Sequence, residues 1–168
     1  VERYDLQPSM HMSTYESLAI FLFICAGNES NRRTQNRFNH SGETISRKFG
    51  EVLNSVIAMA KQFIVPKDAN FRTVHTRISQ DRRAYPHFKD CIGALDGTHV
   101  RVSLHPNDQV RYIEKTGIPT QNILAICDFD MRFTYVSVGQ PGSMHDTSVL
   151  YTAMKVDENF FPHPPKGM

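Results

Sequence analysis

The chain has 168 residues, of which 40% are hydrophobic and 21% are charged, and its formal net charge is +2. This length allows one domain of ordinary size or two small ones, each with enough apolar residues for a core. The longest apolar run, Leu18 to Ala26, is far shorter than the roughly 20 residues of a membrane span, and no signal peptide opens the chain, so we expect a soluble intracellular protein.

The first predicted element is a helix near the N-terminus. Ser13 and Glu16 form a capping-box pattern, which marks a helix start. An almost continuous apolar run follows from Leu18 to Cys25, and Gly27 ends it. Because apolar residues fill every side of this helix, we expect it to be buried.

Two further helices follow. The second, over 31–38, is short, polar and basic, and a turn at residues 39–42 ends it. The third is the clearest helix of the chain, because apolar residues recur at three- and four-residue intervals from Ile45 to Ile64, until Pro66. This spacing predicts one apolar stripe over about five turns.

A short helix, a glycine turn and a second helix with a charged first turn are typical of a helix-turn-helix, which presents its second helix to the major groove. The candidate DNA contacts are Arg32, Arg33, Arg37, Arg47 and Lys48. A plain three-helix bundle with a solvated basic face fits the same pattern, and both interpretations stay open. Residues 1–90 contain 13 Lys and Arg against 9 Asp and Glu, whereas residues 91–168 contain 6 against 8. This imbalance weakly supports phosphate binding by the N-terminal half.

The C-terminal half alternates strand patterns with turns. Residues 66–90 are predicted to be a linker with one short helical turn around Val74 to Ile78. Strands are predicted over 92–95, 100–104, 122–127 and 133–138, followed by a helix from His145 to about Met154. This order favours an α/β fold. The three cysteines lie in apolar segments, which favours reduced, buried thiols over disulfides or a zinc site: Cys25, Cys91 and Cys127.

Asp96 is the first candidate site residue, because it ends the apolar run that begins at Cys91 and precedes a glycine and an alternating strand. An acid at the end of a buried strand lies on a rigid element at the rim of a sheet, where a metal ion offsets the cost of its charge. Asp-Gly between apolar runs is also the strongest short hairpin signal. Both interpretations are open.

Asp146 follows Ser143, Met144 and His145, which is a capping pattern as well as a second candidate acid. Asp128 and Asp130 flank a predicted hairpin turn, and turn formation is the favoured explanation for both. Two histidines could support the acids by orienting a carboxylate or contacting phosphate, although a solvated or satisfied histidine is more common. They are His99 and His145.

Three motifs occur in this order: Asp96-Gly97-Thr98-His99, Cys127-Asp128-Phe129-Asp130 and Ser143-Met144-His145-Asp146. Together they resemble the DDE nuclease domain of PIF/Harbinger-type transposases and of host genes derived from them, from about Tyr85 onward and more weakly over 13–64. The resemblance implies a helical, helix-turn-helix-like DNA-binding module over 1–65, a linker over 66–90, and the N-terminal part of an RNase H-like DDE endonuclease domain over 91–168.

The resemblance also implies metal-dependent hydrolysis of phosphodiester bonds, with Mg²⁺ or Mn²⁺ held by Asp96 and Asp146 as catalytic residues and metal ligands. The family pattern continues with another Asp on the next strand and a Glu on a later helix. Neither has a counterpart here, and Glu158, beside Asp157 and a proline cluster, is not a convincing substitute. We therefore expect a fragment that ends before the last catalytic acids, and whether it is an enzyme stays open.

Two functions follow from this resemblance. The first is a transposase-derived DNA endonuclease, a hydrolase of the nucleus. The second is a catalytically inactive, domesticated transposase that acts as a DNA- or chromatin-binding interaction protein. A third possibility is a small three-helix DNA-binding domain followed by a degenerate remnant of the nuclease domain. DNA is the expected ligand, a Myb-like protein is the partner that the family implies, and a homo-oligomer stays open. No import signal supports the nuclear location directly, and no membrane role is expected.

Overall fold

A computed structural model describes residues 4–158 and 160–164. The chain divides into two compact units, residues 1–62 and 63–168. Within the described ranges, no helix is both long and apolar enough to cross a bilayer.

The first unit contains three helices, as the sequence predicts: α1 (Thr14–Gly27), α2 (Asn31–Phe38) and α3 (Gly42–Phe63). The predicted cap of α1 is confirmed, because the Ser13 hydroxyl accepts a hydrogen bond from the Glu16 amide at 3.1 Å. Ser30 caps α2 in the same way. Both helices end at an asparagine in the left-handed conformation, Asn28 with φ 47° and Asn39 with φ 54°, which is a common helix terminator.

The core of this unit is small. Met12, Ile20 and Ile45 form it, with Ile24 and Phe38 packed against them. The prediction that α1 is a buried helix is therefore wrong. Only two of its residues are buried, and Leu22 is 54% exposed, because apolar residues surround α1 while the core contacts one side of it.

The apolar stripe of α3 is buried only in its first half. Ile45 and Val52 have at most 1% of their surface exposed, whereas Ile57 is 49% and Phe63 is 68% exposed. The helix itself is confirmed over Gly42–Phe63.

The second unit is a mixed α/β arrangement around a three-stranded antiparallel sheet in the order β1-β2-β3. Its strands are β1 (Ala94–Arg101), β2 (Thr120–Cys127) and β3 (Phe133–Pro141). Its helices are α4 (Thr76–Ser79), α5 (Pro106–Gln109) and α6 (Asp146–Val156). This architecture is consistent with part of a DDE nuclease domain.

One strand replaces two predicted ones. Residues 94–101 run as a single extended strand, and Asp96 and Gly97 pair in register with Ala125 and Leu124. The alternative interpretation of Asp96-Gly97 as a hairpin turn is therefore wrong. Gly97 stays extended here, since continuous pairing with β2 satisfies its backbone polar groups.

The sheet buries one face against α6. Alternate residues of β2 point inward, and Leu124 and Ile126 join Tyr135, Val149 and Ala153 in the core. Burial raises the pKa of Tyr135 to about 12, and its hydrogen bond to Asp157 contributes to the rise. This bond, 2.6 Å from the Tyr135 hydroxyl to Asp157 Oδ2, ties the end of α6 to β3.

Residues 66–90 lie within the second unit. Ile78 of α4 is buried. Lys67 Nζ lies 3.6 Å and His75 Nε2 3.3 Å from the Asp130 carboxylate in the β2–β3 turn. The segment thus has contacts of its own with the sheet, and its role as a linker between functional modules stays a prediction.

The predicted burial of the cysteines is wrong for two of the three. Cys25 and Cys91 are exposed, and Cys127 is half-buried. All three are free, as predicted. Cys91 is exposed because it precedes β1 instead of lying inside a buried strand.

Asp128 organises the turn between β2 and β3, as expected for a turn aspartate. Its Oδ1 accepts hydrogen bonds from the amides of Asp130 at 2.9 Å and Arg132 at 3.0 Å. Its Oδ2 accepts one from the Arg132 guanidinium at 2.8 Å. Burial raises the pKa of Asp128, but these bonds and the Arg132 charge outweigh burial and hold the pKa below its ordinary value of 3.8.

We predict that Asp128→Asn destabilises the second unit by about 1–2 kcal/mol at neutral pH, because the replacement loses charge-assisted hydrogen bonds. A depressed pKa stabilises the fold above the ordinary value of 3.8, and that contribution disappears as pH falls through the lower folded value. Urea unfolding should therefore show a difference at pH 7 that shrinks below about pH 4.

Asp90→Asn is the matched control, since Asp90 is exposed and its side chain makes no hydrogen bond among the described residues. An equal loss in both variants, or a loss in Asp128→Asn that does not change with pH, would contradict this account of the turn.

Candidate functional site

The carboxylate of Asp146 packs directly on the backbone of β1. Asp146 is the first residue of α6, and a Cβ built on Gly97 would lie 2.7 Å from both its Cγ and its Oδ1. Any side chain at position 97 would therefore collide with this carboxylate. Gly97 is needed for close approach, so Asp146 lies beside the residue that follows Asp96.

Asp96 occupies a different setting from the one predicted. It is the third residue of β1, it is exposed, and its Oδ1 accepts the Gly97 amide at 2.9 Å. In the described part of the chain, β1 pairs only with β2. The expectation that Asp96 ends a buried central strand is therefore wrong. Because side chains alternate along a strand, Asp96 lies on the sheet face opposite to that of Gly97. The two candidate acids thus flank Gly97 from opposite faces.

Asn122 connects the sheet to the start of α6. Its side chain is completely buried, and its Nδ2 donates to the Met144 carbonyl at 3.0 Å and to Asp146 Oδ1 at 2.6 Å. The partner oxygen, Asn122 Oδ1, is buried without a hydrogen-bonding partner in the described structure. An unsatisfied buried polar atom costs about 1–3 kcal/mol.

Sequence reasoning missed Asn122, although a signal is present. Thr120, Asn122, Leu124 and Ile126 are the inward positions of β2. A carboxamide at an inward position of an apolar strand is a local conflict of the kind that marks functional sites.

His145, and not Ser143, caps α6. The His145 Nδ1 accepts the Thr147 amide at 3.2 Å, whereas the Ser143 hydroxyl donates to the Arg111 carbonyl at 2.7 Å. The predicted Ser143 cap is therefore wrong by two residues. Asp146 lies in the first turn, where a carboxylate also stabilises the helix through its dipole.

His99 is held by two oxygen atoms. Its Nδ1 lies 2.9 Å from Thr120 Oγ1 and 3.2 Å from Glu114 Oε2. Glu114, which no motif singled out, is 20% exposed at its side chain. His99 and Glu114 line an open cavity of about 480 Å³ that also reaches Asp146 and His145. The structure thus places the two candidate histidines and Asp146 around one cavity.

The donor set suits a hard cation, and it is small. Asp96 and Asp146 offer carboxylate oxygens, and Mg²⁺ is commonly bound through one or two carboxylates together with waters and phosphate oxygens. Among the described residues, no group of three or more His, Cys, Asp or Glu could hold a metal ion. The two acids lie on opposite faces of β1, and of the two Asp146 alone borders the cavity. The geometry therefore supports an oxygen-ligated cation at Asp146, completed by waters and phosphate oxygens.

The basic residues of the first unit differ in availability. Arg32 and Arg37 are exposed, and neither has an ion pair within the described ranges. Arg33 pairs with Glu29 at 3.3 Å. Arg47 pairs with two glutamates of α3 at 3.2 Å and 3.1 Å.

Lys48 is not presented to solvent as predicted. Its side chain is only 4% exposed, and its Nζ lies 2.7 Å from Glu51 Oε2. This hydrogen bond and the Lys48 charge lower the pKa of Glu51 despite partial burial. Lys48 lies on the buried side of α3, because position 48 falls between the inward positions Ile45 and Val52.

Comparison with known proteins gives two family matches. Residues 1–58 match a domain of unknown function, and residues 95–164 match the DDE superfamily endonuclease model. The protein described as "Putative nuclease HARBI1" of Rattus norvegicus is 26% identical over 111 residues, 66% of this chain. The match covers 31% of that relative's length. No solved structure matches the chain.

We predict that Gly97→Ala displaces the Asp146 carboxylate and destabilises the second unit by about 1 kcal/mol, as small insertions into packed sites do. The cost is modest because the colliding atoms are the end of a side chain that can turn away. Hydrogen exchange of the β2 amides, with the NMR signal of the Asp146 amide, measures both effects.

Gly50→Ala is the control, since a Cβ at Gly50 meets nothing within 4 Å. In the middle of α3 it should stabilise the first unit by about 0.5–1 kcal/mol. If Gly97→Ala leaves both the exchange rates and the Asp146 signal unchanged, the contact between Gly97 and Asp146 is not formed in solution.

Proposed function

We propose that this protein is a transposase-derived, metal-dependent DNA nuclease, because residues 95–164 match the DDE superfamily endonuclease model and a relative is described as "Putative nuclease HARBI1". The observation that carries the proposal is the Asp146 carboxylate, which packs on Gly97 and borders an open cavity together with His99 and His145. This DDE superfamily generally uses divalent metals. The proposed cofactor is Mg²⁺ or Mn²⁺, and the proposed reaction is hydrolysis of phosphodiester bonds.

Asp146 is the proposed metal ligand at the cavity, and Asp96, on the opposite face of β1, is proposed as a metal ligand from the family resemblance alone. A divalent ion would supply activation of water and neutralisation of phosphate charge. Asp96 has one oxygen, Oδ1, engaged by the Gly97 amide, and Asp146 has one oxygen, Oδ1, engaged by Asn122. Each acid retains an Oδ2 without a hydrogen bond among the described residues, and Asp146 Oδ2 is the proposed donor to an ion at the cavity.

His99 is proposed to contact the phosphate. The His99 Nδ1 faces the Glu114 carboxylate and the Thr120 hydroxyl. These two groups orient the ring through Nδ1, so Nε2 is available to bind a ligand. His145 uses its Nδ1 to cap α6, so its Nε2 is also left for a ligand. Both rings border the cavity that reaches Asp146.

We expect calorimetry to show micromolar Mn²⁺ binding that falls at least tenfold in Asp146→Asn, because this variant removes the charged ligand at the cavity. Asp96→Asn, on the opposite face of β1, should reduce the affinity less than Asp146→Asn does. Asp90→Asn is the control and should bind as the parent chain does. Nicking of supercoiled DNA on the same samples tests catalysis. Binding that is absent from the parent chain, or unchanged in Asp146→Asn, would rule out this metal site.

The runner-up function is a DNA- or chromatin-binding protein that no longer cuts. The observation that favours it is the small donor set, since no cluster of three or more metal-ligating groups exists in the described residues. Mn²⁺ binding without nicking would support it. The Myb-like partner, the nuclear location and a homo-oligomer stay predictions.

DNA binding is proposed for the helical unit, with α2 and α3 as the helix-turn-helix. Asn31 joins the two helices, because its Nδ2 donates to the Gly42 carbonyl at 3.1 Å and to the Ser46 hydroxyl at 2.8 Å. This arrangement holds α2 beside the start of α3, while Arg32 and Arg37 extend from α2 without ion pairs in the described part of the chain. These two arginines are the strongest proposed phosphate contacts, and Arg33 and Arg47 are the weaker ones because glutamates compete for them.

We predict that Arg32→Ala with Arg37→Ala weakens binding to duplex DNA and lowers the slope of log affinity against log salt by about 2, one per lost phosphate contact. Fluorescence anisotropy over a salt series measures this slope. Lys61→Ala, which removes an exposed charge from the last turn of α3, should leave it unchanged. Equal slopes for the double variant and the parent chain would show that α2 does not bind DNA.

A further inference from the structure

Asn122 is a residue that the proposed mechanism does not otherwise use. It sits on β2 opposite His99, and its side chain has no exposed surface. Leu124 and Ile126, the next two inward residues of the same strand, belong to the apolar core. A carboxamide here is therefore surrounded by a packed interior that an aliphatic residue of similar size would also fill.

In the described structure, the Asn122 side chain makes hydrogen bonds through its Nδ2 end alone. Its Nδ2 reaches the Met144 carbonyl at 3.0 Å and Asp146 Oδ1 at 2.6 Å, two groups on either side of the His145 cap of α6. The opposite end of the amide, Oδ1, is buried and has no partner in the described structure. Exchanging the two ends would place an oxygen against the Met144 and Asp146 oxygens, so the hydrogen bonds fix the orientation.

Asp146 is thereby held from two sides. Asn122 Nδ2 binds one carboxylate oxygen, and the bare α-carbon of Gly97 lies against the carboxylate, since a Cβ there would come within 2.7–3.0 Å of its atoms. Asp146 is otherwise an exposed residue, so this donor and this backbone contact are what restrain its carboxylate. Stability alone does not explain an amide with an unsatisfied buried oxygen, whereas fixing this carboxylate does.

We propose that Asn122 is a positioning residue that fixes the Asp146 carboxylate against Gly97, so that this one metal-binding carboxylate is already in place at the cavity before the ion binds. This inference rests on the proposed function, because it assigns Asp146 as a metal ligand. Residues that orient a metal ligand typically change metal affinity 10–100-fold when they are replaced. Asn122 does not contact the ion or the DNA in this proposal and acts through Asp146 alone.

The test is Asn122→Leu, which keeps the branched shape of the side chain and removes the Nδ2 donor. Thr134→Val is the matched control, since the buried Thr134 hydroxyl donates to the Ile126 carbonyl in the same sheet and has no contact with Asp146. Calorimetry with Mn²⁺ alone should show affinity reduced about tenfold or more in Asn122→Leu, and within about twofold of the parent chain in Thr134→Val. Thermal unfolding without metal shows whether either variant remains folded.

A purely structural role would produce a different result. Asn122→Leu would then change the melting temperature while the folded chain kept its Mn²⁺ affinity, and that outcome overturns the inference. If Asn122→Leu fails to fold, Asn122→Ser serves instead, because its hydroxyl is too short to reach both partners. The same comparison of affinity with the control then applies.

A second measurement separates this inference from the proposed function. In the metal-free chain, Asn122→Leu should shift the amide NMR signals of Gly97 and Asp146, whereas Thr134→Val should not. Shifted signals in a chain that binds no Mn²⁺ would refute the metal site, and with it the cation-binding purpose of Asn122, while leaving its hold on Asp146 intact. Mn²⁺ binding that Asn122→Leu leaves unchanged would refute the inference alone.

Discussion

The contact between the Asp146 carboxylate and the backbone of β1 at Gly97 is the constraint on which the candidate site depends. A Cβ at position 97 would lie 2.7 Å from this carboxylate, so glycine is the residue that permits the contact without displacing it. The His145 cap, the Asn122 amide and the Asp146 carboxylate then follow within a few ångströms of each other. Val149 and Ala153 of the same helix join Leu124 and Ile126 in the core, so α6 contributes to both the site and the core.

The arrangement also explains why a buried carboxamide interrupts an apolar strand. Packing alone favours an aliphatic residue at position 122, and the unsatisfied oxygen makes the amide costly. Its compensating effect is on Asp146, an exposed residue whose carboxylate the amide holds against Gly97. Stability is given up in the core where a functional group needs a fixed position, as is common at active sites.

Much of the fold follows from local sequence rules. The Ser13 cap, the three helices of the first unit and the strands β2 and β3 were predictable because periodicity and capping act over a few residues. The continuity of β1 was not, since Asp-Gly favours a turn locally and the pairing with Ala125 and Leu124 that overrides it is distant in the chain. Lys48 was misjudged for a similar reason, because its burial beside Glu51 depends on packing that a charge pattern does not reveal.

The site was only partly predictable. Motif resemblance identified four residues of the candidate site by their chemical type, but not how they are arranged: Asp96, Asp146, His99 and His145. Strand alternation around Gly97, the Glu114 pairing of His99 and the Asn122 hydrogen bonds all arise from register, which no short motif encodes.

The most direct test of the central claim is paramagnetic broadening of amide NMR signals by substoichiometric Mn²⁺. Our account predicts that the signals of Gly97 and Asp146 broaden first, because the Asp146 carboxylate that packs on Gly97 binds the ion. First broadening in the Asp128–Asp130 turn, or uniform broadening across the chain, would contradict it.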